Sequence, residues 1–207
     1  MLARPAWGAQ ALSACYHILN FCTSERRGRF LPCLKAMGIR AKKSMNMKTA
    51  YLAGGCFWGL EELFREQPGV TDTEVGYSGG ENSNPTYQSH PGHAETLAIT
   101  YDPTKTSFEA LLDFFFRIHD PTTRNRQGND VGSSYRSAIF YQDDDELRAA
   151  ESVIEKVNRA KLYKHPVVTS LEKFKAFYSA EEYHQDYLRK NPGGYTCHYV
   201  RTDTSLL

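Results

Sequence analysis

The chain predicts an α/β (α+β) fold, a two-layer sandwich of ferredoxin-like (split βαβ) type with helices against a mixed sheet. Three observations predict it. Short apolar or alternating runs recur from residue 50 to residue 171, and amphipathic stretches at helical spacing separate them. Their order is βαββαβ, with extra loops, a terminal helix and a C-terminal tail. The 13 tyrosines and 11 phenylalanines among 207 residues are ample for a globular core.

The first strand covers residues 50–53 and closes on Gly54-Gly55. In the stretch that follows, Leu60, Leu63 and Phe64 recur at helical spacing with Glu61, Glu62 and Arg65 between them. Gln67-Pro68-Gly69 makes a turn, and residues 70–77 run as a strand into Ser78-Gly79-Gly80. Residues 79–93 form a polar loop rich in Gly, Pro, Asn and Ser, with Tyr87 inside it. Strand character returns at 95–101, where Leu97, Ile99 and Tyr101 alternate with Thr96, Ala98 and Thr100. Thr106 and Glu109 offer a capping box for a helix whose one face is Phe108, Leu111, Leu112 and Phe115. Residues 119–134 are a long polar loop without periodicity, a kind commonly functional in compact domains. A strand (136–141), a helix (146–162) and a strand (167–171) follow. The last helix, with Ser179 and Glu182 as its capping box, runs to about Lys190, and the glycine-rich tail to Cys197 is flexible.

The net charge of +1 hides an asymmetry. Residues 1–48 carry nine Lys/Arg and one acid, so +8, and the remainder carries 16 Lys/Arg against 23 acids, so −7. The acidic part argues against nucleic acid as a partner. Residues 1–47 read as a basic extension: a disordered or mis-assigned leader before a start at Met45 or Met47, or an organelle transit peptide. Leu12-Ser13-Ala14-Cys15 is faintly similar to a lipoprotein cleavage site, but no apolar segment precedes it. No run of 18 apolar residues exists, so no membrane helix is expected and the compartment reads as cytoplasmic unless the leader is a transit peptide. Cys15, Cys22 and Cys33 lie in the extension; Cys56 and Cys197 remain, without zinc spacing to other ligands.

Cys56 is placed at a helix start after two glycines, where unpaired N–H groups and the helix dipole favour a thiolate. Phe57 falls on the buried stripe, whereas Trp58 lies off it beside the thiol and reads as one wall of a ligand pocket. Glu95 shares the parity of Leu97, Ile99 and Tyr101. It is either a carboxyl on the packed face, with a raised pKa, or a solvated strand end. Tyr135, at a loop–strand junction, can offer its hydroxyl to a polar atom. Cys197 is either a surface cysteine without consequence or a thiol that reaches a sulfenic acid on Cys56.

Separated segments of the chain closely resemble the peptide methionine sulfoxide reductase A family over residues 48–207. They are Gly-Gly-Cys56-Phe57-Trp58-Gly, Gly76-Tyr77-Ser78-Gly79-Gly80, Asn84-Pro85-Thr86-Tyr87 and Gly92-His93-Ala94-Glu95. Beyond them come His119-Asp120-Pro121, Arg126-Gln127-Gly128-Asn129-Asp130, Tyr135-Arg136-Ser137 and Tyr183-His184-Gln185. The resemblance implies that Cys56 attacks a sulfoxide sulfur, Glu95 supplies the proton, and Tyr87 and Tyr135 hydrogen-bond the oxygen. Phe57 and Trp58 would hold the substrate methyl group, Asp130 would shape the site, and Cys197 would resolve the sulfenic acid. It further implies a monomer acting on the S epimer, free or in oxidised proteins, recycled by thioredoxin without metal or organic cofactor. Two features depart from many members: only Gln88-Ser89-His90-Pro91 separates Tyr87 from Gly92, and Cys197 is the only C-terminal cysteine. Thioredoxin would then act directly on a Cys56–Cys197 bond. A thiol peroxidase and a non-catalytic reader of oxidised methionine are the competing readings.

Overall fold

A computed structural model describes residues 46–202; the basic extension predicted over 1–47 lies outside the described residues except for its last two. Among the described residues there are eight strands and four helices. They are β1 (Lys48–Gly54), α1 (Phe57–Arg65), β2 (Val70–Ser78), β3 (Ala94–Tyr101), α2 (Phe108–Ile118), β4 (Arg126–Gln127), β5 (Asp130–Val131), β6 (Ser137–Tyr141), α3 (Asp144–Ala160), β7 (Ser170–Lys173), β8 (Phe177–Ser179) and α4 (Tyr187–Lys190). Six strands form one mixed sheet in the order β7-β6-β1-β3-β2-β8. β3 is inserted between β1 and β2 and runs antiparallel to both, and only β6–β7 is parallel.

Parity sorts the two faces. Ala50, Leu52, Val75, Tyr77, Leu97, Ile99 and Ile139 point to the helices and meet Phe57, Leu60, Phe64, Leu111 and Phe115 in the main core. Their strand neighbours Ala53, Ala94, Ala138 and Phe140 point to the opposite face. There Tyr51 stacks on Phe174, with ring centroids 4.1 Å apart. Burial of such aromatic rings, about 1.5–3 kcal/mol each, dominates the stability of this arrangement. The mixed sheet with packed helices is the α/β class expected from the sequence.

Several boundaries differ from the sequence expectation. Ser107, rather than Thr106, caps α2, accepting the Ala110 N–H at 3.2 Å. α3 begins two residues before the expected start, capped by Asp143, which accepts the N–H groups of Asp145 and Glu146. The strand expected at 167–171 forms at Ser170–Lys173. The long loop holds the short β4–β5 hairpin and a single 3-10 turn, Ser133–Tyr135.

The last helix is the largest correction. Ser179 ends β8, which pairs with β2, and the Ala180 N–H donates to Val75 O at 2.9 Å. The Gln185 side chain then bonds both the N–H and the C=O of Val75, each at 2.9 Å. A strand-edge partner therefore replaces the capping box, and only Tyr187–Lys190 is helical. The tail is anchored rather than free: the buried His198 bonds Gly54 O at 2.8 Å, and Arg201 N–H bonds Arg117 O at 3.0 Å.

Candidate active site

Gly55 turns the chain between β1 and α1 at φ +108°, a conformation that a side chain would strain. That turn sets Cys56 as the N-cap of α1, with 6% of its surface exposed. The thiol opens into a cavity of about 120 Å3 lined by Cys56, Phe57, Trp58, Tyr87, Glu95, Asp130, Tyr135 and Tyr195. Seven of these eight residues were singled out in the sequence; Tyr195 was not. A second cavity, about 310 Å3, is lined by residues such as Val157, Lys161 and His165 and holds no thiol or carboxyl.

Glu95 lies on the helix-facing side of β3, 2% exposed, as its parity with Leu97 and Ile99 requires. Its Oε2 accepts the Phe57 N–H at 3.0 Å. That bond favours the carboxylate, but burial outweighs it and Asp130 adds to the same effect, so the pKa rises to about 8. Glu95 is thus a carboxylic acid at neutral pH.

The expectation for the thiol is corrected. Burial, and then the nearby Glu95, push the Cys56 pKa up, and a hydrogen bond from the Trp58 backbone only partly opposes them. The physical reason is first the burial of the sulfur, and the first N–H of α1 also donates to Glu95 rather than to the thiol. The helix terminus serves the carboxyl as well as the sulfur, and a buried site penalises a lone thiolate.

The walls are held by side-chain bonds. Trp58 Nε1–H donates to His184 Nδ1 at 3.1 Å, and its ring stacks on Tyr187 with centroids 3.8 Å apart. His184, 2% exposed, also packs against Phe57 and Tyr87. Glu181 accepts the Tyr87 N–H and the Tyr77 hydroxyl, each at 3.0 Å. Together with the Thr86–Ser89 bridge, this seats Tyr87 in the pocket despite the short loop after it. Tyr135 faces the same space from the 3-10 turn and lines the cavity with Tyr87. Burial raises the pKa of both phenols, so they remain donors. Asp130, from the β4–β5 hairpin, accepts the Tyr195 hydroxyl at 3.1 Å.

Cys197 does not line the cavity, but the Cys56 backbone and the Asp130 carboxyl both act on its thiol. Both cysteines are reduced, and burial pushes the Cys197 pKa up to about 12. Sequence reasoning missed His184, Glu181, Tyr187, Tyr195 and His198. Tyr183-His184-Gln185 was visible as a motif, but nothing local shows that His184 reaches Trp58, 126 residues earlier. Among the described residues no cluster of His, Cys, Asp and Glu is arranged to hold a metal ion. No helix among them is long and apolar enough to cross a membrane.

A buried thiol, a carboxyl with a raised pKa and two phenols around one small cavity with aromatic walls make a site suited to thiol chemistry on an α/β scaffold. The family model of peptide methionine sulfoxide reductase matches residues 48–205. A Mycobacterium sp. (strain JLS) protein named peptide methionine sulfoxide reductase MsrA is 59% identical over 159 residues, 77% of this chain and 93% of that protein. The Nocardia farcinica protein of the same name is 57% identical over 77% of this chain and 94% of its own length. Among solved structures, reduced Mxr1 from Saccharomyces cerevisiae superposes with a TM-score of 0.70 at 41% identity, covering 75% of this chain and 92% of Mxr1. Mxr1 has also been solved in complex with Trx2; that chain superposes at a TM-score of 0.54 with 32% identity, covering 75% of this chain and 90% of its own. The chain belongs to the peptide methionine sulfoxide reductase family.

Proposed function

We propose that the chain reduces methionine sulfoxide, free or within oxidised proteins, to methionine by thiol chemistry at Cys56. The observation that supports this most is Glu95: a carboxylic acid held protonated by burial, in the same cavity as a nucleophilic sulfur. A sulfoxide sulfur is a poor electrophile until its oxygen is protonated. Glu95 would deliver that proton while the Tyr87 and Tyr135 hydroxyls bond the oxygen. Protonation places positive charge on the substrate sulfur beside Cys56, which favours the thiolate that burial alone disfavours. The Cys56 proton passes to the Glu95 carboxylate, the oxygen moves to the Cys56 sulfur, and methionine leaves with a sulfenic acid behind it. The indole of Trp58 and the ring of Phe57 give the substrate methyl group an apolar seat, and Asp130 shapes the rim through Tyr195.

Cys197 would condense with the sulfenic acid and release water. Thioredoxin would then reduce the Cys56–Cys197 disulfide by exchange. The complex of the related Mxr1 with Trx2 supports that partner. Both reducing electrons come from the two thiols, so the reaction needs neither metal nor organic cofactor. Residues 48–207 would be the catalytic domain, acting as a monomer on the S epimer in the cytoplasm, or in an organelle if residues 1–47 are a transit peptide. N-terminal sequencing of the native protein decides the last point.

Thioredoxin-coupled reduction of a racemic methionine sulfoxide peptide tests the reading. Reduction should stop at half conversion with the R epimer left over. Conversion of both epimers, or rapid peroxide turnover without sulfoxide reduction, would contradict it.

A further inference from the structure

The tail contains a buried imidazole that the reduction step leaves unused. His198 is 6% exposed, and its Nε2 lies 2.8 Å from Gly54 O. A carbonyl only accepts, so Nε2 carries the proton and Nδ1 of the neutral ring is a free lone pair. That Nδ1 lies 3.5 Å from the Cys197 sulfur, within hydrogen-bonding range of a thiol.

The placement is built in. His198 N–H bonds Thr196 Oγ1 at 3.1 Å, closing a turn around Cys197. A Cβ on Gly59 would lie 2.4 Å from both His198 Nδ1 and Thr196 Oγ1, so a glycine in α1 leaves the slot for this turn. The groups acting on the ring are Asp130, Arg201, His119 and the Cys197 thiol itself. Burial dominates and lowers the His198 pKa to about 4, so the ring is neutral at neutral pH, and it is the 3.5 Å approach of its Nδ1 lone pair to the Cys197 sulfur that equips it to take a proton during bond formation.

We infer that His198 is the proton acceptor for Cys197 when that thiol resolves the sulfenic acid on Cys56, an inference that rests on the function proposed above. The S–H bond of Cys197 breaks and its proton passes to His198 Nδ1. The Cys197 sulfur bonds the Cys56 sulfur as the S–O bond of the sulfenic acid breaks. The departing hydroxide takes the proton back from Nδ1 and leaves as water. The sulfenic acid is reduced and the Cys197 thiol is oxidised, and the ring ends as it began. No other oxidant is required, and because the proton moves as the S–S bond forms, neither the free thiolate nor the imidazolium that burial opposes forms on its own.

The test follows resolution in a single turnover. The protein receives one equivalent of methyl sulfoxide, and disulfide formation is timed by mass spectrometry against sulfenic acid trapping. The wild-type rate should be nearly constant from about pH 6 to 9. A rate rising tenfold per pH unit would mean attack by free thiolate and overturn the inference. His198→Gln keeps a donor for Gly54 but has no base. It should slow resolution about 100-fold at neutral pH, the deficit shrinking as pH rises. A purely anchoring role predicts instead a His198→Gln rate equal to wild type and a His198→Ala deficit that is the same at every pH. A pH-dependent deficit in Asp130→Asn but not in His198→Gln would assign the base to Asp130 and also overturn the inference. If no methionine forms, the proposed function fails separately, because one equivalent of peroxide still makes the sulfenic acid and resolution can still be timed.

Discussion

The floor of the pocket and its C-terminal strap are built in opposite ways. On the floor, Cys56, Phe57 and Glu95 ride on α1 and β3, regular elements whose other side chains fill the main core. The strap, residues 177–202, crosses from the β2 edge to the mouth of the pocket with little regular structure. A few polar bonds hold it: Gln185 on Val75, Asp186 N–H on Glu61, His184 on Trp58 and His198 on Gly54. The difference separates two tasks. Oxygen transfer needs a fixed acid and a fixed sulfur, which core packing supplies. Recycling needs a second thiol that meets the first and then presents a disulfide to a partner, which an anchored strap allows.

Damage to the floor should exceed damage to the strap. Cys56→Ser removes the proposed nucleophile and should lower sulfoxide turnover by at least about 10⁴-fold in a coupled assay. Cys197→Ser should sharpen the contrast by yielding about one methionine per enzyme and then stalling with thioredoxin as reductant. Glu95→Gln should lower kcat/KM by about 10²–10⁴ with little change in binding.

The pH dependence follows from Glu95. In its proposed role as general acid it works when protonated, so wild-type kcat/KM should fall as pH rises through about 8, and Glu95→Gln should lack that limb. Stability has the same sign. With a folded pKa of about 8 against an ordinary 4.5, the folded state holds a proton in this window that the unfolded state has lost. Glu95 therefore costs stability progressively from about pH 4.5 to 8, and Glu95→Gln should melt higher than wild type at pH 9 but not at pH 4. The smallest effect belongs to the strap: Gln185→Ala loses both bonds to Val75 and should cost about 1–3 kcal/mol in denaturant unfolding.

What could be read in the sequence divides along the same line. β3 and α1 have local periodicities, so Glu95 could be given the parity of Leu97 and Ile99, and Cys56 a place at a helix start, before any contact was known. The strap has none. β8 is three residues long and is defined by pairing with β2 about a hundred residues earlier. Ser179 and Glu182 have capping-box spacing, but the Ala180 N–H is taken by Val75 O. Glu61, placed by periodicity on the polar face, is 2% exposed because it meets Arg65 and the Asp186 N–H. The thiol pKa was misjudged for the same reason: local sequence shows the helix end but neither the burial of the sulfur nor the Glu95 carboxyl beside it.

The central claim is that Cys56 and Cys197 supply the two electrons of one sulfoxide reduction. Mixing the reduced protein with one equivalent of an S-epimer methionine sulfoxide peptide, without thioredoxin, and mapping both products tests it most directly. The account predicts one methionine formed per protein and a single new Cys56–Cys197 linkage. Methionine formed while Cys197 stays a free thiol, or a disulfide that excludes Cys56, would contradict it.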